Sequence, residues 1–287
     1  MKKLKELFNR VKESENAGNQ DIIDLLWQLI CYSPKFPLRL QQQQLLDEAA
    51  PFSLEVDDPH FTRSILKFNG FIWGEGKRKV MITHGWGSKA ADFSDLISAL
   101  RTIDDTQVIA FDAPGNGSSE SELSNLLLFT KAVEAVMSTY GVPDVLIGHS
   151  LGAMANVIAI KSTSVKPALQ ISIAPLVRLK ENFIATMTIA GATELAQDSF
   201  FESFESLFKL HASDFNLHEL YVADDHVKHW LAYDREDKIA PYAYLREFLT
   251  AQPGIQTQEY ESVGHERIIK DAGLIAQVVG LVKTTNL

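Results

Sequence analysis

The sequence of 287 residues has only one cysteine, Cys31, which excludes an internal disulfide. Because this residue lies in an apolar helical stretch, we expect an inert buried thiol and a reducing compartment, the cytoplasm. Positive charge is also scarce: the formal net charge is −10, and no cluster of lysine or arginine is large enough to override it. Binding to nucleic acid or to an anionic membrane surface is therefore not expected.

Long apolar runs are absent as well. The most apolar early segment, 22–32, is too short to cross a bilayer of roughly 30 Å. The first residues are charged and amphipathic and acidic residues soon follow, which does not match the basic start and apolar centre of a signal peptide. The acidic and histidine residues at 224–229 suggest a metal site only weakly, because lysine competes there and no separate ligand cluster supports it. The sequence thus predicts no membrane span, no metal and no cofactor.

Apolar residues make up 46% of the chain, enough for a sizeable core in one large α/β domain. From residue 61 onwards, short apolar runs alternate with helix-forming segments, which predicts a mostly parallel sheet with helices on both faces. We place this core at residues 61–174 and 228–287, beginning with a β-hairpin at 61–73. Residues 1–60 are predicted to form a helical N-terminal extension that prolines interrupt.

The most informative segment is 147–152, which places a serine between two glycines, after an apolar run and before a helix-forming one. This spacing predicts a nucleophile elbow, a sharp turn from strand to helix. Such a turn strains its central residue and leaves no room for side chains two positions before and after it. Gly148 and Gly152, which have no side chains, occupy these two positions. Ser150 is therefore the candidate nucleophile, at the start of a helix whose dipole favours developing negative charge.

Three further segments occur in order around the elbow. They are His84-Gly85-Trp86-Gly87-Ser88, Asp112-Ala113-Pro114-Gly115-Asn116-Gly117 and Gly264-His265-Glu266-Arg267. With the elbow, they resemble a bacterial-type branch of the α/β-hydrolases, from about residue 68 to the end of the chain. The resemblance implies the α/β-hydrolase fold. Relatives usually have histidine in place of Asn116, a departure that bears on loop packing.

The resemblance also implies roles for particular residues. In the family, the loop after the third strand and the residue after the nucleophile supply two backbone N–H groups to an oxyanion hole. By motif position these donors are Trp86 and Leu151. The family's catalytic base follows the nucleophile and the acid in chain order. His265, in the last of the three segments, is therefore the candidate base.

The acid and two other histidines leave alternatives open. The segment 229–241 resembles the family pattern D-x-x-D-x-x-x-P, which favours Asp237 as the acid, with Asp234 as the alternative and Glu236 third. His84 is expected to hold its loop by hydrogen bonds rather than to transfer protons. In such a turn His149 points away from the serine oxygen, so we expect a packing residue that borders the substrate pocket.

Residues 175–227 carry no strand signal, and the resemblance implies a helical cap or lid at this position. Phe200, Phe204 and Phe208 recur every four residues, so they share one helical face. Two interpretations remain: this face attaches the cap to the core, or some of its rings line an acyl pocket.

The leading hypothesis is a serine hydrolase that cleaves a small-molecule carboxylic ester or thioester through an acyl-enzyme. Amide or peptide cleavage, or acyl transfer to another acceptor, fits the same residues. A hypothesis of a different class is a non-catalytic protein that keeps the fold as a ligand pocket or interaction surface, although an intact triad argues against it. Short to medium acyl chains are the expected substrates.

Overall fold

The centre of the molecule is a single mixed sheet. The computed structural model describes residues 2–17 and 21–285, and within them the sheet has eight strands. In chain order these are β1 (Ala50–Asp58), β2 (Ser64–Trp73), β3 (Arg78–Thr83), β4 (Thr106–Asp112), β5 (Val145–His149), β6 (Leu169–Ile173), β7 (Lys228–Asp234) and β8 (Gln256–Tyr260). Across the sheet the order is β1-β2-β4-β3-β5-β6-β7-β8.

Most of the strand pairs are parallel, as the sequence predicted. Strand β2 pairs antiparallel with both β1 and β4, and the remaining neighbours run parallel. Parallel strands need crossover connections that cover the faces of the sheet, so every residue of β5 and β6 is buried. Parallel pairing also brings the carboxyl ends of β3, β5, β7 and β8 to one edge of the sheet, the usual location of a functional site in such folds.

The helices pack on both faces of this sheet. They are α1 (Lys2–Ala17), α2 (Ile22–Cys31), α3 (Leu40–Asp47), α4 (Ser94–Leu100), α5 (Leu126–Tyr140), α6 (Leu151–Thr163), α7 (Leu179–Ile189), α8 (Glu194–Phe208), α9 (Leu217–Leu220), α10 (Tyr242–Ala251) and α11 (Ala272–Thr284). Because successive strand residues point to opposite faces, Val145 and Ile147 join the core beneath α4 and α11. Leu146 joins the core beneath α5 and α6, which extends to α1, α2 and α8.

The N-terminal region departs from the prediction at its end. Helices α1 to α3 occupy residues up to Asp47, but Ala50–Asp58 is a strand, and it pairs antiparallel with Ser64–Trp73. The predicted hairpin therefore started too late in the chain. Strand β1 lies at the edge of the sheet, where a proline such as Pro51 is tolerated, so a residue taken as a helix break belongs to a strand.

The helical segments of the molecule are short relative to a bilayer. Among the helices that lie within residues 2–17 and 21–285, none combines the length and the apolar character needed to cross a membrane. Helices α7, α8 and α9 lie between β6 and β7, in the segment 175–227 where the sequence predicted a helical insertion.

Candidate active site

Ser150 lies at the sharp turn between β5 and α6, at the carboxyl edge of the sheet. Its backbone has φ 52° and ψ −121°, a strained conformation for a residue with a side chain. A Cβ on Gly148 would lie 2.6 Å from the Cα of Ala153, and one on Gly152 would lie 2.3 Å from the carbonyl oxygen of His84. The two glycines thus allow the close approach that the elbow requires.

The side chains of three segments that are distant in the sequence meet at this turn. Ser150 Oγ lies 2.8 Å from Nε2 of His265, and Nδ1 of the same imidazole lies 2.6 Å from Oδ2 of Asp237. All three residues are buried. The arrangement is a continuous hydrogen-bonded chain of hydroxyl, imidazole and carboxylate, which can move a proton from the serine oxygen to the imidazole.

Asp237 is the carboxylate that contacts His265. Its other oxygen, Oδ1, accepts the N–H groups of Ile239 at 2.8 Å and Ala240 at 2.9 Å. Burial by itself would raise the pKa of Asp237. The hydrogen bond and charge of His265 and the two backbone donors outweigh burial, so the pKa lies below its ordinary value. The carboxylate is therefore ionised at neutral pH and can stabilise an imidazolium.

The two alternative acids have other partners. Asp234 accepts the N–H of Gly264 at 2.6 Å and that of Glu236 at 2.8 Å. It therefore connects the end of β7 to the loop that carries His265. The Glu236 side chain accepts the hydroxyl of Ser262 at 2.8 Å. The structure brings Asp237 to the imidazole and gives Asp234, at the end of β7, a supporting place beside it.

The HGWGS loop runs directly beside the elbow. A Cβ on Gly85 would lie 3.0 Å from the Cβ of Ser150, so the backbone before Trp86 is packed against the serine. Among the hydrogen bonds of residues 2–17 and 21–285, none takes the N–H of Trp86 or Leu151 to a protein acceptor. Two backbone donors that flank the serine are thus free for a ligand oxygen.

His84 holds this loop in place, as expected. Its Nε2 accepts the N–H of Ala113 at 2.9 Å, which leaves Nδ1 to donate to the carbonyl of Gly85 at 2.6 Å. Burial lowers the pKa of His84 and keeps the ring neutral, in spite of the nearby charge of Asp112. A ring engaged at both nitrogens has no role in proton transfer at the serine.

Asn116 connects this loop to the loop after β4 and to the N-terminal region. Its Oδ1 accepts the N–H of Gly87 at 3.1 Å and the hydroxyl of Ser33 at 2.5 Å. Its amide donates to the carbonyl of Pro114 at 3.1 Å. The sequence indicated a packing role here, and the contacts show that this packing supports the residue next to Trp86.

His149 contacts the backbone of the candidate base, which the sequence did not reveal. Its Nε2–H donates to the carbonyl oxygen of His265 at 2.9 Å. Burial and the neighbouring His265 lower the pKa of His149 to about 3, so the ring is neutral. Its Nδ1 has no hydrogen-bond partner within the described part of the chain. No local pattern could have predicted this contact, because it joins residues 116 positions apart.

A cavity of about 990 Å³ opens onto these groups. His149, Ser150 and His265 line it together with the predicted residues Trp86, Leu151, Phe204 and Phe208. Phe200, also predicted for the pocket, does not line it. This ring is fully buried, and it packs against Trp27 at 4.7 Å between ring centres and against Phe183 at 6.1 Å.

The three phenylalanines of one helical face therefore divide between the two interpretations. Phe200 packs the interior, whereas Phe204 and Phe208 border the cavity. Spacing along a helix defines the face but not the depth at which each ring lies, so only the tertiary structure separates them.

The sequence suggested a metal site only weakly, at residues 224–229. Across residues 2–17 and 21–285, no group of three or more histidine, cysteine, aspartate or glutamate side chains is placed to hold a metal ion. In the segment 224–229, the Asp224 carboxylate pairs with Lys166 at 2.6 Å, and His229 is hydrogen-bonded to Ser172 at 2.8 Å.

The fold and the arrangement of the elbow define the class of protein. Residues 80–277 match the sequence profile of the Alpha/beta hydrolase family. Because this range covers more than half of the chain, the protein belongs to that family. The monoglyceride lipase of Rattus norvegicus is 28% identical over 127 residues, a segment that spans 42% of this chain and 42% of the lipase.

Solved structures share the fold at low identity. An esterase from Pyrococcus furiosus matches with a TM-score of 0.59 at 19% identity, over 88% of this chain and 96% of that one. A monoacylglycerol lipase from Paleococcus ferrophilus matches at 0.57 and 18%, over 76% and 99%. An epoxide hydrolase from Vigna radiata matches at 0.57 and 14%, over 83% and 99%. These likenesses show a fold that carries more than one hydrolytic chemistry.

Proposed function

We propose that this member of the family is a serine hydrolase that cleaves a carboxylic ester or thioester. In this proposal Ser150 is the nucleophile, His265 the general base and acid, and Asp237 the residue that orients the imidazole. The backbone N–H groups of Trp86 and Leu151 form the oxyanion hole. The observation that carries the proposal is the hydrogen-bonded chain from Ser150 Oγ through His265 to Asp237, at 2.8 and 2.6 Å.

The chemistry follows from these contacts. Ser150 Oγ attacks the ester carbonyl while Nε2 of His265 takes its proton, and the two backbone donors stabilise the resulting oxyanion. His265 then gives the proton to the leaving oxygen or sulfur, which departs and leaves an acyl-enzyme. Water, deprotonated by the same imidazole, attacks the acyl group, and His265 returns the proton to Ser150. The products are a carboxylic acid and an alcohol or thiol.

Two features favour this function over a non-catalytic role. The strained backbone of Ser150 is costly to maintain in a protein that only binds a ligand. Asp237 is buried with its pKa lowered, as an acid that stabilises an imidazolium must be. The residue at the elbow is a serine and not a carboxylate. This favours an acyl-enzyme mechanism over the haloalkane dehalogenation for which this fold uses a carboxylate nucleophile.

The test has two parts. One is covalent labelling with a fluorophosphonate, and the other is hydrolysis of p-nitrophenyl acetate and butanoate by unlabelled protein. We expect labelling of the wild type at Ser150, and a loss of turnover of up to about 10⁶-fold in Ser150→Ala. Ser172→Ala is the matched control, since this buried serine lies on the neighbouring strand β6 and contacts His229 instead. Ser172→Ala should be labelled and active, and circular dichroism should show that both variants are folded.

Other outcomes would change the proposal. Unlabelled wild-type protein, or equal turnover in Ser150→Ala, would contradict the nucleophile. Faster cleavage of matched p-nitroanilides than of esters would assign an amidase to the same residues. Transfer of the acyl group to added alcohol in preference to water would assign an acyltransferase.

We also propose a cytoplasmic location. Cys31 is buried, and burial raises the pKa of its thiol, so the thiol is unreactive. A chain with one such cysteine has no disulfide that an oxidising compartment would maintain. Detection of the native protein in a cytosolic fraction would test this.

A further inference from the structure

The cavity extends beyond the part of the chain that matches the family profile. Leu4 and Phe8 of α1 and Trp27 of α2 line the same cavity as Ser150. All three residues precede residue 80, where the family match begins. The part of the cavity wall that Leu4, Phe8 and Trp27 form therefore belongs to the N-terminal helices of this chain and not to the matched core.

Helix α1 has one side in the protein core and another at the cavity. Leu7 and Val11 are buried and anchor the helix. Leu4 and Phe8 are four residues apart, so they lie on one face, and both are only partly buried. The carboxylate of Glu15 accepts the N–H of Thr193 at 2.8 Å, which attaches the end of α1 to the start of α8. Leu4 and Phe8 thus pack against the edge of the core and also line the cavity.

Helix α2 is joined to α8 through Trp27. The indole N–H donates to Ser203 Oγ at 3.0 Å, and the ring stacks on Phe204 with centres 5.9 Å apart and planes inclined by 9°. Its ring also lies 5.9 Å from that of Phe208. The N-terminal helices and the helical insertion therefore form one continuous aromatic and aliphatic wall.

The segments that carry Asp237 and His265 bring charged side chains to the cavity. Lys238, Glu266 and Lys270 line it there, beside apolar residues such as Ile239 and Ile269. In the proposed reaction, His265 must reach the leaving oxygen to protonate it, so the leaving group lies beside these charged side chains. The acyl group is left with the rest of the cavity, whose lining includes the apolar side chains of α1 and α2.

We infer that the N-terminal helices α1 and α2 form the distal wall of an acyl-binding compartment, and that the substrates are esters of long or bulky apolar acids with polar leaving groups. This inference rests on the proposed function. A volume of about 990 Å³ lies at the upper end of the roughly 300–1,000 Å³ usual for small-molecule pockets, more than a short acyl chain fills. The volume and this wall favour longer acyl chains than the short to medium ones expected from the sequence.

The test fills the distal end of the compartment. Leu4→Trp adds an indole at the cavity wall, and Lys5→Trp adds one at the neighbouring exposed position of the same helix as the matched control. The substrates are p-nitrophenyl esters from acetate to hexadecanoate, which share one leaving group. In the wild type, kcat/KM should rise with length, by up to roughly fourfold per buried methylene.

Leu4→Trp should lose the gain in kcat/KM at the longest chains relative to acetate and butanoate, since only the longest chains reach α1. Lys5→Trp should follow the wild-type profile. The inference is overturned if folded Leu4→Trp retains the whole length profile, or if the wild type gains nothing beyond butanoate.

A binding measurement separates this inference from the proposed function. In Ser150→Ala, calorimetric titration with hexadecanoate should show weaker binding after Leu4→Trp, whereas Lys5→Trp should have no effect. If esters are not hydrolysed through Ser150, the proposed function fails. If Ser150 is labelled and short esters are cleaved, but neither the length profile nor the binding responds to Leu4→Trp, only the inference fails.

Discussion

At the scale of single residues, the candidate site depends on the side chains that hold the loop of His265 in place. His265 lies on a loop after β8 rather than on a strand or helix, and three contacts set its position. Asp237 binds its imidazole, Asp234 binds the N–H of Gly264 before it, and His149 binds its carbonyl oxygen. These contacts are not equivalent, because only the first reaches the imidazole.

The two aspartates should differ in their effect on the rate. Asp237→Asn cannot hold the imidazole in the productive tautomer, and the known effect of such a change in a serine triad is about 10⁴-fold in kcat. Asp234→Asn keeps an acceptor oxygen near Gly264, and a smaller loss is expected. Ester turnover of both variants, with melting temperatures as the control for folding, checks the assignment. A greater loss in a folded Asp234→Asn would reverse it.

His149 should act through the position of His265. His149→Leu removes the donor to the carbonyl of His265, and a displacement of the imidazole of about 1 Å can cost on the order of 10²-fold in kcat, with KM little changed. His149→Gln retains an N–H donor and should restore most of the rate.

The matched control for this prediction is His229→Leu. His229 is also a buried neutral histidine, but it lies at the start of β7, away from the carboxyl end that carries Asp234, and its partner is Ser172. Steady-state kinetics should show normal kcat in His229→Leu even where its stability falls. Equal kcat in the wild type and His149→Leu would show that the contact only packs the loop.

At the scale of secondary-structure elements, α8 combines two tasks on one face. Thr193 caps its start, and Phe200 packs inward on Trp27, while Phe204 and Phe208 border the cavity. Substitutions on neighbouring turns of α8 can therefore separate the two tasks: Phe200 tests stability, and Phe204 tests the selection of substrates.

Phe204→Ala should flatten the rise of kcat/KM with acyl length. Each buried methylene contributes about 0.8 kcal/mol of binding free energy, and a methylene that no longer contacts the ring loses part of it. Phe200→Ala should lower the free energy of unfolding by about 3–5 kcal/mol and leave the slope of the profile unchanged, since its ring does not touch the cavity. Rates with acetate through octanoate esters and denaturation curves of both variants provide the comparison. Identical length profiles for Phe204→Ala and the wild type would leave that ring with a packing role alone.

At the scale of the whole molecule, buried histidines connect stability to pH. Burial lowers the pKa of His149 and that of His229 to about 3 each, with the charge of His265 contributing at His149. In the unfolded chain both have pKa values of about 6.5. Between these values the unfolded state binds more protons, so stability is complete above about pH 6.5 and is lost as the pH falls towards 3.

Urea denaturation at pH 7.5, 6 and 5 should therefore give a falling free energy of unfolding. Each of the two histidines contributes up to about 1.4 kcal/mol per pH unit in this window. His229→Leu has no imidazole to protonate at that position, so its slope should be shallower than that of the wild type. The same slope in both proteins would mean that His229 is not responsible.

The sequence alone determined the features that depend on neighbouring residues. Gly148 and Gly152 predict the turn at Ser150 because the steric requirement is local, and the alternation of short apolar runs predicts a mostly parallel sheet. Strand β1 was missed because a half-exposed edge strand has a weak pattern and the proline within it, Pro51, suggested a break.

Only the tertiary structure decided which distant residues meet. Asp234 ends β7 and Asp237 follows three positions later, and the position of His265 shows which of them it contacts. The same holds for Phe200 and Phe204, and for Leu4 and Trp27 at the wall of the cavity. Steric rules act between neighbours and can be seen in the sequence, whereas contacts across many residues depend on how the sheet and helices pack.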